Sequence, residues 1–364
     1  MASTEARDWP PSAATEQGTS IMNKRTLMVA LAALAAAGYY YLGSGGGGGG
    51  KVAPGTPAVV FDTGGKFDKS FNEGIYNGAE KFKKETGQAY GEFEITNEAQ
   101  REQALRNFAD QGYSPIVAAG FAQAAALGKV AAEYPNTKFA IIDDASITLP
   151  NVQSIVFKEE EGSYLVGILA AMASKTGKVG FVGGMDIPLI RKFACGYVQG
   201  VKATNPAATV FQNMTGDTGA AWNDPVKGGE LTKAQIAQGA DVIYHAAGGT
   251  GVGVLQAAAD NGALGIGVDS NQNGLHPGKV LTSMLKRVDV AVYNVMTSAK
   301  DGSFKAGTTS LGLAQDGVGY AMDDNNKALI SPPMTAAVDQ AKAAIVAGTL
   351  QVHDYMADEK CPVQ

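Results

Sequence analysis

The sequence predicts an α/β protein of two lobes, each built around a parallel sheet with helices on both faces. Short apolar strand segments alternate with helix-like stretches from Ala58 onward, which is typical of parallel sheets covered by helices. The alternation runs twice, with a break at Lys175–Gly177. At 364 residues the chain exceeds the roughly 250 to 300 residues at which one hydrophobic core stops growing. We therefore expect two cores.

The first series of strands begins at Ala58–Phe61 (AVVF), an uninterrupted apolar run. The helix predicted after it carries Phe71, Ile75 and Phe82 on one face, so that this face packs on the sheet. Tyr164–Ala173 (YLVGILAAMA) is apolar on nearly all sides, which predicts a helix buried inside the protein. The other strands predicted for this series are Phe93–Thr96, Pro115–Ala119, Lys138–Ile142 and Val152–Phe157.

The second series of strands is predicted to begin at Lys178–Val182. After Lys286, the helix-like Val288–Lys300 and the strand-like Ser310–Leu313 are expected to return the chain between the lobes. The other strands predicted for this series are Ala207–Gln212, Ala240–His245, Gly265–Val268 and Val280–Met284.

The predicted domain boundaries follow from these two series. We expect an N-terminal lobe of residues 51–176 together with about 280–308. The C-terminal lobe is expected to contain residues 177–279 together with about 309–364. Residues 1–50 are excluded from the fold.

The N-terminal segment predicts export from the cytoplasm. The basic stretch Met22–Arg25 precedes Leu27–Leu42, an uncharged apolar run of 16 residues, as in a signal peptide. An uncleaved membrane anchor is the alternative, with residues 1–21 as a cytoplasmic tail unless translation starts at Met22. Ser44–Gly50 predicts a flexible tether. No cysteine near the apolar run could accept a lipid. We expect a periplasmic or cell-surface protein, secreted or anchored through this segment.

Composition excludes several classes of function. A formal net charge of -6 without a cluster of Lys and Arg argues against nucleic-acid binding. Cys195 and Cys361 are too few and too widely separated for a disulfide framework or a cysteine-based zinc site. His245, His276 and His353 lie in no metal-binding or nucleophile motif. We expect no metal, no cofactor and no catalytic residue.

Asp or Gly follows the strands at the positions where a parallel sheet binds its ligand. Ligands of open parallel sheets lie outside the carboxyl ends of the strands. Carboxylates there accept hydrogen bonds from hydroxyls or amines, and glycines let a ligand approach the backbone. Each single position also has a structural alternative as a helix cap or turn. The positions predicted to bind the ligand are Asp62, Gly120, Asp143, Gly249 and Asp269.

Two segments bear on alternative functions, dinucleotide binding and glycoside hydrolysis. The glycines of Ala247–Gly253 (AGGTGVG) do not fit the G-x-G-x-x-G pattern of a dinucleotide-binding loop. Asp62, Asp143 and Asp269 could converge on one cleft, which leaves glycoside hydrolysis as an alternative. The sequence offers no further catalytic constellation.

Six segments after the tether carry a family resemblance. They are Phe61–Gly74 (FDTGGKFDKSFNEG), Phe139–Asp143 (FAIID), Lys178–Pro206 (KVGFVGGMDIPLIRKFACGYVQGVKATNP), Asp241–Gly253 (DVIYHAAGGTGVG), Gly267–Gln272 (GVDSNQ) and Leu281–Asp289 (LTSMLKRVD). Together they resemble the basic membrane protein family, also called purine nucleoside receptor lipoproteins. Its members are substrate-binding proteins of ABC transporters. The missing lipidation cysteine is a departure from the family and leaves the mode of membrane attachment open.

The resemblance implies a type I periplasmic-binding-protein fold, with two doubly wound parallel-sheet lobes, a hinge and a ligand cleft between the lobes. By position, Asp62 and Asp269 would contact ribose, with Lys286 nearby. Asp143 would bind the edge of the purine. A solvated or ion-paired lysine is the structural alternative for Lys286.

Aromatic stacking is also implied by the resemblance. Phe71 would stack on the base, and Trp222 would supply the second aromatic face where the family usually has Phe. Both residues could instead be anchors of the hydrophobic core.

The function predicted from these observations is capture of a purine nucleoside or related small polar ligand by closure of two lobes, followed by delivery to an ABC permease. A membrane-anchored nucleoside sensor or regulator is the first alternative. A nucleoside hydrolase is the second.

Overall fold

The structure, a computed structural model, describes residues 51–364. The predicted signal peptide or anchor at about residues 22–42 and the tether at 44–50 lie outside the described residues. Within residues 51–364, no helix combines the length and the apolar character needed to cross a membrane.

Six strands form the first sheet. They are β1 (Ala58–Phe61), β2 (Gly91–Glu94), β3 (Ile116–Ala118), β4 (Phe139–Ile142), β5 (Val152–Phe157) and β11 (Gly307–Leu311). Their order is β11-β5-β4-β3-β1-β2, and every neighbouring pair is parallel. All residues of β1, β3 and β4 are buried, as expected for central strands with helices on both faces.

The second sheet has the same plan. Its strands are β6 (Lys178–Met185), β7 (Thr209–Gly216), β8 (Val242–Ala246), β9 (Leu264–Asp269), β10 (Val280–Lys286) and β12 (Val318–Tyr320). Their order is β12-β10-β9-β8-β6-β7. All neighbours are parallel except β12, which runs antiparallel to β10 at the edge. The predicted fold class, two parallel-sheet lobes of an α/β protein, is confirmed.

Nine α-helices of residues 51–364 pack around the two sheets. They are α1 (Phe71–Thr86), α2 (Gln100–Asp110), α3 (Ala124–Glu133), α4 (Glu159–Ala173), α5 (Pro188–Thr204), α6 (Pro225–Ala237), α7 (Thr250–Asp260), α8 (Val288–Asp301) and α9 (Pro332–Val346). Helix α1 shows the predicted pattern, since Ile75, Ala79 and Phe82 are buried. It ends at Gly87, whose φ of 69° is readily adopted by glycine.

The buried helix predicted at Tyr164–Ala173 is α4, which begins earlier, at Glu159. Residues 159–170 are buried, because α4 packs between the second sheet and helix α5. The two helices approach closely at Gly200 of α5, where a Cβ atom would overlap the carbonyl oxygen of Tyr164. A larger residue at this position would therefore push α4 and α5 apart.

The chain crosses between the lobes three times, and none of the crossings lies at the predicted residue. The first follows Phe157 rather than residue 176, because α4 packs on the second sheet and on α5. Strand β10 (residues 280–286) pairs with β9 in the second sheet, as its place in the second series of strands predicts. The return to the first lobe therefore follows Lys286, and the domain boundary predicted at about residue 280 is wrong. Helix α8 then packs on α1, and β11 pairs with β5. The last crossing follows Leu311 rather than residue 308. An apolar run predicts a buried strand but does not tell which sheet it joins.

Cys195 and Cys361 form a disulfide, although the two cysteines were expected to be too few and too widely separated for a disulfide framework. The bond joins α5 to the C-terminal segment, and their Cα atoms are 5.5 Å apart. Gln199 and His353 exchange two hydrogen bonds beside it, of 3.0 and 2.9 Å. A sequence separation of 166 leaves no local sequence signal of this pairing.

Candidate functional site

A cavity of about 620 Å³, part of it open to solvent, lies between the lobes at the carboxyl ends of both sets of strands. Gly249 of the predicted residues does not line it, whereas its neighbour Gly248 does. The prediction therefore names the right loop, but Gly248 is the residue of that loop that lines the cavity. The predicted residues that the structure brings to this cavity are Asp62, Phe71, Gly120, Asp143, Trp222, Asp269 and Lys286.

Lys286 is the central charge of the cavity. It is 3% exposed, and its Nζ lies 2.7 Å from Asp143 Oδ2 and 2.9 Å from Glu159 Oε1. Lys286 is therefore ion-paired, which was the structural alternative, and it also forms part of the cavity wall. Asp143 Oδ1 is buried and accepts no hydrogen bond from residues 51–364, so one oxygen of this carboxylate is left for a ligand.

Burial sets the protonation of these groups. It raises the pKa of Asp143 to about 6, with Lys286 opposing the shift. Burial likewise raises the pKa of Asp269 to about 6. For Lys286 burial acts in the opposite direction, but Asp143 and Glu159 together hold its pKa above the usual range. At neutral pH the carboxylates are therefore mostly ionised and the lysine is charged.

Two of the cavity carboxylates lie in left-handed backbone conformations. Asp143 follows β4 with a φ of 68°, and Asp269 ends β9 with a φ of 62°. Asp tolerates this region better than most residues because its short side chain bonds locally. Ser70, from the opposite lobe, donates from Oγ to Asp269 Oδ2 at 2.5 Å. Each strand end is thus bent so that its carboxylate stays at the cavity.

Asp62 is held by residues that the sequence reasoning missed. Arg101 Nη2 donates to Asp62 Oδ1 at 3.0 Å. The backbone N–H of Asp62 donates to Asn72 Oδ1 at 3.1 Å, and Asn72 Nδ2 donates to Asp68 Oδ2 at 3.1 Å. Asp68 in turn accepts from the backbone of the first turn of α1. This arrangement fixes the loop between β1 and α1.

The aromatic residues come from opposite lobes. Phe71 is the first residue of α1, and Lys286 Nζ lies 5.3 Å from the centroid of its ring. Trp222 ends a short 3₁₀ helix at Gly219–Trp222. A Cβ atom on Gly184 would overlap the six-membered ring of Trp222, so glycine makes room for the indole. Both aromatic residues pack against the core and also line the cavity, with their side chains half-buried.

Several wall residues were not singled out from the sequence. The segments that carried the family resemblance contain most of them, and that was the available signal. The strand-end argument could not find them because they lie on helices or within loops. These residues are Asp68, Asn72, Phe121, Leu189, Ile190 and Phe193.

His245 lies outside the cavity wall. It is fully buried, its ring bonds Gln272 Oε1 at 2.9 Å, and burial lowers its pKa to about 4. It is therefore neutral at physiological pH and has a structural role. Among residues 51–364, no group of His, Cys, Asp and Glu side chains is arranged to hold a metal ion.

Comparison with known proteins identifies the family. The family described as Bmp, ABC transporter substrate-binding protein PnrA-like, matches residues 56–354. The CD4+ T-cell-stimulating antigen of Listeria monocytogenes is 37% identical over 319 residues, which cover 82% of this chain and 87% of that protein. The ABC transporter nucleoside-binding protein BmpA of Lactococcus lactis is 32% identical over 317 residues, covering 81% and 88%.

A solved structure agrees with this assignment. The solute-binding protein of an ABC transporter system from Aeropyrum pernix superposes with a TM-score of 0.75 at 30% identity, covering 82% of this chain and 93% of that one. The likeness extends over both lobes and therefore includes the cleft. The chain belongs to the Bmp family of PnrA-like substrate-binding proteins of ABC transporters.

Proposed function

We propose that the protein captures a purine nucleoside outside the cytoplasm by closing its lobes, and presents it unchanged to an ABC permease. The observation that carries this proposal is one cavity lined by aromatic residues of both lobes, among them Phe71 and Trp222, and by four carboxylates, those of Asp62, Asp68, Asp143 and Asp269. Aromatic faces suit a flat base, and carboxylates suit the hydroxyls of a sugar.

Each polar group has a task in this proposal. Asp143 Oδ1, which is buried and unpaired within residues 51–364, accepts a hydrogen bond from an N–H of the purine edge. Asp62 and Asp269 accept from the ribose hydroxyls, with Lys286 beside them. The nucleoside-binding name of the Lactococcus lactis relative supports this ligand class.

Binding without reaction fits the charges of the site. Hydrolysis of a nucleoside would need a protonated acid beside the leaving base. Burial raises the pKa of Asp143 to about 6, but Lys286, 2.7 Å away, opposes this shift, so the carboxylate is mostly ionised at neutral pH. Asp143 is therefore placed as a hydrogen-bond acceptor rather than as a proton donor.

The disulfide supports a location outside the cytoplasm. Bonds such as Cys195–Cys361 persist in oxidising compartments and are rare where thiols are kept reduced. A substrate-binding protein in such a compartment meets its permease at the membrane surface. The apolar segment at about residues 22–42 would bring the protein there as signal or anchor.

Calorimetry with inosine, guanosine, adenosine, cytidine and ribose tests the ligand class. We expect the purine nucleosides to bind and ribose alone to bind far more weakly, because it lacks the stacking base. Chromatography of the ligand after incubation should return intact nucleoside. If none of the three purine nucleosides binds while another solute does, the ligand class is refuted. If free base is released during the incubation, the protein is a hydrolase rather than a binding protein.

A further inference from the structure

We infer that Arg101, a residue of α2 outside the cavity wall, is a positioning residue that holds Asp62 for the sugar of the bound nucleoside. The inference rests on the proposed function. It adds a specificity-determining residue that neither the strand ends nor the family segments contain.

The two oxygens of Asp62 have different surroundings. Oδ1 accepts from Arg101 Nη2 at 3.0 Å and from the backbone N–H of Thr63 at 2.8 Å. Oδ2 accepts no hydrogen bond from any side chain or backbone group of residues 51–364. The carboxylate is thus fixed through one oxygen and presents the other.

The free oxygen lies on the cavity side. A Cβ atom on Gly120 would be 3.2 Å from Asp62 Oδ2, and Gly120 itself lines the cavity. Gly120 has a φ of 88°, a conformation that favours glycine, so this residue places no side chain over Oδ2. A ligand hydroxyl can therefore reach this oxygen.

Arg101 is committed to this carboxylate more than to any other partner. The Arg101 and Asp62 side chains are only 11% and 12% exposed, whereas Glu98, 3.8 Å from Arg101 Nη1, is 71% exposed. Arg101 Nε is buried and has no partner within residues 51–364. The guanidinium makes a charge-assisted hydrogen bond to Oδ1, and together with the backbone N–H of Thr63 it holds this one oxygen of Asp62 in place.

A purely structural ion pair between α2 and β1 would also give this contact. The two roles predict different patterns of affinity loss when Arg101 is replaced. If Arg101 orients Asp62 towards the sugar, its loss weakens binding only of ligands that carry the 2′ and 3′ hydroxyls. If the ion pair is only structural, the loss of Arg101 lowers folding stability and weakens the binding of all ligands alike.

The experiment compares inosine with 2′,3′-dideoxyinosine on the wild type and on Arg101→Gln, by calorimetry or by displacement. We expect Arg101→Gln to weaken the binding of inosine by about tenfold or more, and the binding of the dideoxy analogue by less than about twofold. Arg101→Lys, which keeps the charge but loses the planar fork, should fall between the wild type and Arg101→Gln. Arg106→Gln is the matched control, since Arg106 lies on the same helix and pairs with Glu102 and Glu133 away from the cavity.

A thermodynamic cycle completes the test. In an Asp62→Asn background, Arg101→Gln should cost no further inosine affinity, because the group it positions has been removed. Equal losses for inosine and its dideoxy analogue, or additive losses in the cycle, would overturn the role of Arg101 while leaving nucleoside capture intact. A wild type that binds no nucleoside would instead overturn the proposed function and the sugar role with it.

Discussion

The two lobes share a topology but build different walls of the cavity. The first-lobe wall is rich in polar groups that hold one another, and the second-lobe wall is largely apolar with a few charges at its strand ends. The first wall consists of Asp62, Gly64, Asp68, Phe71, Asn72, Gly120, Phe121 and Asp143. The second consists of Leu189, Ile190, Phe193, Trp222, Ala246, Ala247, Gly248, Val268, Asp269 and Lys286.

The difference divides the work of recognition. Acceptors on the first wall are preorganised by their own neighbours, so they select hydrogen-bonding partners on the ligand. The second wall covers apolar surface and excludes water. Lys286 connects the two, because it belongs to the second sheet and pairs with Asp143 of the first lobe.

Removing this connection should have the largest effect. Lys286→Met leaves Asp143 and Glu159 as buried carboxylates without their shared counter-charge. We expect a loss of about 3 to 5 kcal/mol in the free energy of unfolding at neutral pH, measured by urea denaturation. The loss should shrink as the pH falls, because protonation of Asp143, whose pKa burial raises to about 6 even beside Lys286, removes an unpaired buried charge. Lys327→Met, which breaks an exposed pair with Asp324, is the control and should change stability by less than about 0.5 kcal/mol.

The next largest effect is expected for Asp143, a hydrogen-bond acceptor of the first wall. Asp143→Ala should weaken inosine by more than tenfold, or about 1.5 to 3 kcal/mol, since it removes a carboxylate paired to the base. The protein should stay folded because Lys286 keeps Glu159 as a partner. Asp144→Ala, at the neighbouring residue outside the cavity wall, should leave calorimetric affinity unchanged. Unchanged affinity in Asp143→Ala would make this aspartate structural.

Acid should weaken both walls at once. Asp143 of the first lobe and Asp269 of the second each have a pKa raised to about 6 by burial. A carboxylate accepts hydrogen bonds on both oxygens only when ionised, so protonation lowers affinity. We expect inosine to bind about tenfold more weakly at about pH 5 than at about pH 7.5. Affinity that is constant over this range would show that neither carboxylate binds the ligand in its ionised form.

The smallest effect concerns the aromatic residue of the second wall. Trp222→Phe keeps an aromatic face and should change inosine affinity by less than about threefold. Trp222→Leu keeps apolar volume but loses stacking, and should weaken binding by about 0.5 to 1.5 kcal/mol. Thermal unfolding of both variants without ligand separates this role from a core anchor. A core anchor would lower the unfolding temperature without changing the ratio of purine to ribose affinity.

Much of the fold and part of the site could be predicted from the sequence. Asp62, Asp143 and Asp269 follow buried apolar strands, and the carboxyl ends of parallel strands meet at one edge, so sequence position alone brings them together. Arg101 escaped because it lies on an ordinary polar helix whose distance to Asp62 depends on how α2 packs.

Long-range pairings were harder. Strand β11 (residues 307–311) joins the first sheet beside β5, although the domain boundary was predicted at about residue 308, and nothing in its sequence reports which sheet edge it completes. The partner of Cys195 lies 166 residues away, beyond any spacing motif. Such features depend on the completed tertiary structure.

The disulfide also changes what a protease can achieve. Cys195 and Cys361 enclose a loop of the chain that contains most strands of the second sheet, from β7 to β10 and β12, and the excursion through α8 and β11. A single cut anywhere inside this loop leaves the two fragments covalently joined. A nicked molecule would therefore migrate as one chain on a non-reducing gel and as two after reduction, and it could keep both walls of its cavity together while its backbone is already broken.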